Sequence, residues 1–69
     1  MEYRIFEAEH NSLKYRIEED YPEIGAYLWV FKDGKDIMDY LQNDISICKS
    51  FALKHFGVPL DVWKEIKSD

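Results

Sequence analysis

The chain has few of the residues that mark a disulfide-bonded, unstructured or membrane-spanning protein. Its 69 residues contain one cysteine, Cys48, so no intramolecular disulfide can form. Three glycines and two prolines are too few for a linker or a low-complexity tract. The longest apolar run, from Gly25 to Phe31, is far shorter than the ~20 residues that cross a bilayer. These absences predict a single small domain over residues 1–69 with no membrane segment.

Basic residues are also scarce. Nine bases against fourteen acids give a formal net charge of −5, and the excess of acids lies in residues 1–44. Nucleic-acid binding ordinarily needs a basic patch that displaces counterions from phosphates, so nucleic acid is not an expected partner. The first ten residues have neither the basic segment nor the apolar segment of a secretory signal, and we therefore expect a cytoplasmic protein.

Aromatic residues are abundant, and they argue for a folded domain. Five Tyr, four Phe and two Trp make up 16% of the chain. Disordered segments have few aromatic residues, so disorder is excluded.

Alternating apolar and polar residues predict strands in the N-terminal two thirds of the chain. The four predicted strands are Tyr3 to Ala8, Leu13 to Glu18, Ala26 to Phe31 and Asp36 to Leu41. Turn residues separate the first two strands, and Asp33-Gly34 between the last two is a strong hairpin signal. A two-residue turn there would place Lys32 opposite Lys35, whereas a three-residue loop would shift the pairing by one residue.

One helix follows the strands. Asn43 or Asp44 can cap its N-terminus, and an amphipathic pattern continues to about Phe56. Gly57 and Pro59 are stop signals. A short last helical turn is expected from Asp61 onward, with Val62, Trp63 and Ile66 on it. The predicted fold is α+β: an antiparallel four-stranded sheet in β-β-β-β-α order, with one main helix packed on it and a short C-terminal helical turn.

The third predicted strand is apolar on both faces, which suggests a candidate interaction surface. Ala26, Leu28 and Val30 alternate with aromatic residues along it. A single helix covers only one face of a sheet, so the other must be covered by the C-terminal tail, by a second copy or by a partner. Tyrosine and tryptophan are enriched in protein interfaces. The candidate surface comprises Tyr27, Trp29, Phe31 and Tyr40.

A second candidate site is a pocket near the end of the helix. His55 projects into the apolar arc of the helix, where it is either a packed ring or a ligand-contacting group beside Trp63. Cys48 is about 10.5 Å from His55 along the helix axis, too far for a shared proton or metal ion. No set of nucleophile, base and orienting residue can be assembled, so we expect no catalytic residues, no metal site and no cofactor.

Three stretches resemble small uncharacterised bacterial proteins that have a β-hairpin, a helix and a Gly-Val-Pro then Trp ending. The stretches are Ile17 to Pro22, Gly25 to Phe31 and Phe56 to Trp63. The resemblance implies a bacterial cytoplasmic α+β protein and assigns no catalytic residue.

These observations favour a non-enzymatic module that binds protein, either another protein or a second copy of itself. An acidic antitoxin or immunity-type inhibitor and a small-molecule-binding domain are the alternatives.

Overall fold

The computed structural model describes residues 3–66, which form one antiparallel sheet and one helix. The strands are β1 (Ile5–His10), β2 (Leu13–Glu19), β3 (Ala26–Lys32), β4 (Lys35–Gln42) and β5 (Lys64–Ile66), and the helix is α1 (Ile45–Phe56). The strand order in the sheet is β4-β3-β2-β1-β5. The predicted α+β architecture is therefore confirmed, with five strands instead of four.

The expected C-terminal helical turn is wrong. After a turn, Lys64–Ile66 runs antiparallel to β1 as the fifth strand, with Ile66 opposite Ile5 and Lys64 opposite Glu7. The edge of β1 has unpaired backbone groups, and extended pairing satisfies more of them than a helical turn would.

Both hairpins turn through residues with positive φ. Asn11 and Ser12 have φ of 51° and 66°, and Asp33 and Gly34 have φ of 53° and 79°. Positive φ at both central residues characterises the two-residue turn whose twist matches that of its strands. The β3–β4 turn consequently places Lys32 opposite Lys35, the first of the two predicted arrangements.

A β-bulge next to this turn changes the register of β4. Phe31 pairs with Asp36, but Val30 pairs with Met38, so Ile37 is the extra residue. An unbulged strand would have placed Tyr40 opposite Tyr27. The bulge places Tyr40 opposite Leu28 instead, and every later side chain of β4 therefore lies on the other face.

The core lies between one face of the sheet and α1. Its fully buried strand residues include Ile17, Ala26, Leu28 and Val30, and the helix contributes Cys48 and Ala52. Small side chains on the helix let it approach the sheet closely, and the Cys48 thiol lies 3.5 Å from the carbonyl oxygen of Ala26.

The helix ends where its capping residues predict. Asp44, one of the two predicted caps, accepts a hydrogen bond at 2.8 Å from the backbone N–H of Ile47. Gly57 adopts the left-handed conformation, with φ of 72°. The backbone N–H group of Gly57 donates to the carbonyl oxygen of Leu53, which is the bond of the αL capping motif, and the N–H group of Val58 donates to the carbonyl oxygen of Ala52.

Candidate interaction face

The sheet has a second face that α1 does not cover, here called the open face. Along β3, buried residues alternate with the partly exposed Tyr27, Trp29 and Phe31, so these three aromatic side chains point away from the helix. We call them the aromatic row. The structure thus brings three of the four predicted surface residues together.

Tyr40 is the exception, and its predicted place on this surface is wrong. Its ring lies 4.6 Å from that of Phe51 and 6.2 Å from that of Phe56, both on α1. The bulge at Ile37 is the physical reason, because it reverses the faces of β4 from that point onward.

The C-terminal tail lies on the helix side of the sheet. Val58 is fully buried in the core, and Val62 and Trp63 pack against the same cluster. The Trp63 ring is 6.5 Å from that of Tyr15, which belongs to the helix-covered face. Residues 58–63 therefore leave the aromatic row open, so this part of the tail does not cover it.

Cross-strand pairing places charged side chains on both sides of the aromatic row. Strand β2 contributes Lys14 opposite Phe31 and Arg16 opposite Trp29. Strand β4 contributes Asp36 and Asp39, also opposite Phe31 and Trp29. Lys14 and Arg16 therefore lie on one side of the row, with Glu18 next to them on the same strand opposite Tyr27, and Asp36 and Asp39 lie on the other side.

Ion pairs and one hydrogen bond hold the base side of the row in place. The Trp29 indole N–H donates to a carboxylate oxygen of Glu18 at 3.1 Å. The other carboxylate oxygen of Glu18 lies 3.1 Å from Nε of Arg16. Glu7 on β1 is within 4 Å of both Arg16 and Lys14. Each of these pairs is partly exposed and contributes little stability by itself, but together they orient the bases beside the aromatic row.

The concavities on this face are shallow. One of about 230 Å³ is lined by Trp29, Phe31, Arg16, Glu18 and Asp36. Another, of about 400 Å³, lies over the β1–β2 hairpin beside Lys14 and Phe31. Such depressions suit a docked surface better than an enclosed small molecule.

The structure does not support a pocket formed by His55 and Trp63. His55 is exposed, and its ring stacks at 4.1 Å on that of Phe51, one turn earlier in α1. His55 projects to nearly the same side of the helix as Cys48, but in the last turn of α1 its side chain is exposed. Trp63 packs instead against Tyr15.

The single thiol is unsuited to nucleophilic chemistry. Cys48 is fully buried, and burial, assisted by the nearby charge of Asp44, raises its pKa to about 11. The side chain is therefore a protonated thiol at neutral pH, whereas the thiolate is the reactive form. Among residues 3–66, no group of three or more His, Cys, Asp and Glu side chains is arranged to hold a metal ion.

Comparisons of the chain with protein-family models, with curated proteins and with solved structures find no match. The resemblance to small bacterial proteins stays a prediction. No helix in the described part of the chain is long and apolar enough to cross a membrane.

Reasoning from the sequence missed the two charged columns beside the aromatic row. The alternation of Lys14, Arg16 and Glu18 with apolar residues was a usable signal, because it places them on one face of β2. Asp39 on β4 had no such signal, because its face depends on the bulge.

Proposed function

We propose that the protein is a non-enzymatic interaction module that self-associates through its open face. The observation that carries this proposal is the aromatic row, which remains partly exposed because α1 and residues 58–63 both pack on the other side of the sheet. Partly exposed aromatic side chains in a contiguous row are typical of protein interfaces.

The sheet face is a better docking surface than the sheet edge. Strand β4 forms one edge, and it has a bulge at Ile37 and acids at Asp36 and Asp39. Bulges and charged side chains are features that protect edge strands from pairing with other chains. The part of the open face over Tyr27 and Trp29 has no bulge.

Substitution of Trp29 tests the proposal. We expect Trp29→Ala to raise the dissociation constant for self-association about tenfold or more, since central interface tryptophans dominate binding energy. Sedimentation equilibrium over a concentration series measures the association, and far-ultraviolet circular dichroism verifies that the variant is folded.

Leu53→Ala is the matched control, because Leu53 is 44% exposed on α1, which packs on the opposite side of the sheet. It should leave self-association unchanged. A wild-type protein that stays monomeric up to ~1 mM, the concentration range of the weakest specific contacts, would contradict the proposal.

A further inference from the structure

The charges beside the aromatic row are arranged so that one face is complementary to a second copy of itself. In the central cross-strand row, Asp39, Trp29 and Arg16 are direct neighbours, in that order. In the next row, Asp36, Phe31 and Lys14 repeat the order of acid, aromatic and base. Two bases and two acids therefore lie at equal distances, about 4.8 Å, on either side of β3. In the third row Glu18, Tyr27 and Leu41 are neighbours, so the charge complementarity concerns the other two rows.

We infer that a second copy of the chain docks on the open face about a two-fold axis that runs along β3. This inference rests on the proposed function and specifies its geometry. Rotation about that axis places β3 over β3, and it places β2 of each copy over β4 of the other. Arg16 then faces Asp39 of the second copy, and Lys14 faces Asp36. An interface of this kind is isologous, so each of these ion pairs occurs twice.

Side-chain lengths fit this arrangement. Facing sheets pack about 10 Å apart, and an arginine and an aspartate extended toward each other span roughly that distance. The aromatic rows of the two copies would meet between the ion pairs, where packed aromatic rings add favourable contacts.

The other simple arrangement is electrostatically unfavourable. A two-fold axis across the strands through Trp29 would place Arg16 against Arg16 and Asp39 against Asp39. The same axis would also place Lys14 against Glu18, but the like-charged pairs lie in the central row, so the charges favour the axis along β3.

The overlap involves only β2, β3 and β4, because β1 and β5 extend past the edge of the other copy. Three strands and three cross-strand rows give a contact of roughly 15 by 20 Å. A contact of this size is smaller than the roughly 1,200 Å² that stable interfaces bury, so we expect a weak dimer that dissociates on dilution.

Reversed charges test the axis directly. Arg16→Glu should weaken self-association about tenfold or more, because both of its contacts become acid against acid, and Asp39→Lys should do the same through base against base. An equimolar mixture of the two variants should regain association. In the mixed dimer the acid introduced in one copy faces the base introduced in the other, and the unchanged Asp39 faces the unchanged Arg16. Sedimentation equilibrium at equal total concentration measures all three samples.

Matched reversals away from the face are Lys54→Glu on α1 and Glu23→Lys in the β2–β3 loop, both at exposed positions. Neither should change association. Because Arg16 also contacts Glu7 and Glu18, circular dichroism must show that Arg16→Glu is folded. If it is unfolded, Lys14→Glu and Asp36→Lys provide the second complementary pair.

The results of these experiments distinguish a failure of the proposed axis from a failure of the proposed self-association. Regained association in the equimolar mixture of Arg16→Glu and Asp39→Lys supports both the axis and the self-association. Wild-type self-association that Trp29→Ala weakens, without rescue in the mixture, overturns the axis and leaves the open face as the interface. A wild type that is monomeric at all concentrations overturns both.

Discussion

Gly25 lies where two segments of backbone approach each other closely. It precedes β3 and has a φ of +115°, a conformation that residues with a Cβ atom rarely adopt. A Cβ atom at this position would overlap the backbone carbonyl oxygen of Gln42, at the end of β4. Both the conformation and the space therefore require glycine.

Gly25→Ala should lower the free energy of unfolding by about 3 kcal/mol or more, because strain at positive φ adds to a backbone collision. Gly34→Ala is the matched comparison. Gly34 also has positive φ, at +79°, but no atom lies within 4 Å of the added Cβ, so its cost should be about 1 kcal/mol. Urea denaturation measures both values. Equal losses of unfolding free energy in the two variants would show that the close approach to Gln42 adds no cost.

At the scale of elements, signals that lie close together in the sequence were enough to predict α1. Asp44 and Gly57 cap its ends through hydrogen bonds to residues no more than six positions away. Such caps depend on local backbone geometry, and reading the sequence can find them. The choice between Asn43 and Asp44 needed the structure, because either side chain could have served.

Asp44→Ala should lower the free energy of unfolding by about 1 kcal/mol, since the N–H group of Ile47 loses its acceptor. Asn43→Ala, one residue earlier and exposed, should change it by less than about 0.5 kcal/mol. Thermal and urea denaturation of the two variants check the difference. A larger loss of unfolding free energy for Asn43→Ala than for Asp44→Ala would identify Asn43 as the N-cap.

Strand β5 and the register of β4 could not be predicted from local patterns. Lys64–Ile66 is too short to show a period, and its pairing with β1 joins residues some sixty positions apart. The bulge at Ile37 depends on which side chains of β4 fit against α1, where Tyr40 packs on Phe51. Contacts between residues that are far apart in the sequence override the local preference for strand or helix.

At the scale of the whole molecule, residues 3–66 cover the sheet on one side only. The sequence predicted most of this surface, because the alternation along β3 identifies Tyr27, Trp29 and Phe31 and the scarcity of helices implies an open face. It did not predict where the tail would pack, since Val58 and Trp63 could have covered either face. Only the three-dimensional path of residues 58–63 decides this.

Hydrogen exchange should distinguish docking of faces from pairing of edges. Strands β2 and β3 have a hydrogen-bonded neighbour on both sides, so their amides should exchange slowest. Docking through the open face adds no backbone hydrogen bonds, and the outward-pointing amides of β4 should therefore exchange equally fast in dilute and in concentrated protein. Exchange measured by NMR at two concentrations checks this. Protection of β4 that appears only at high concentration would indicate edge pairing instead.

The extra residue in β4 shifts the alternation of side chains along the strand by one position. After Ile37, each side chain lies on the opposite face from the one that it would have in an unbulged strand. Tyr40 is therefore an interior residue, and Asp39 and Leu41 are exterior ones. The insertion of this single residue thus determines that Tyr40 completes the core and that Asp39 lies beside Trp29. Changes in the length of this hairpin by a single residue would exchange the inside and the outside of the strand, whereas changes by two would preserve them.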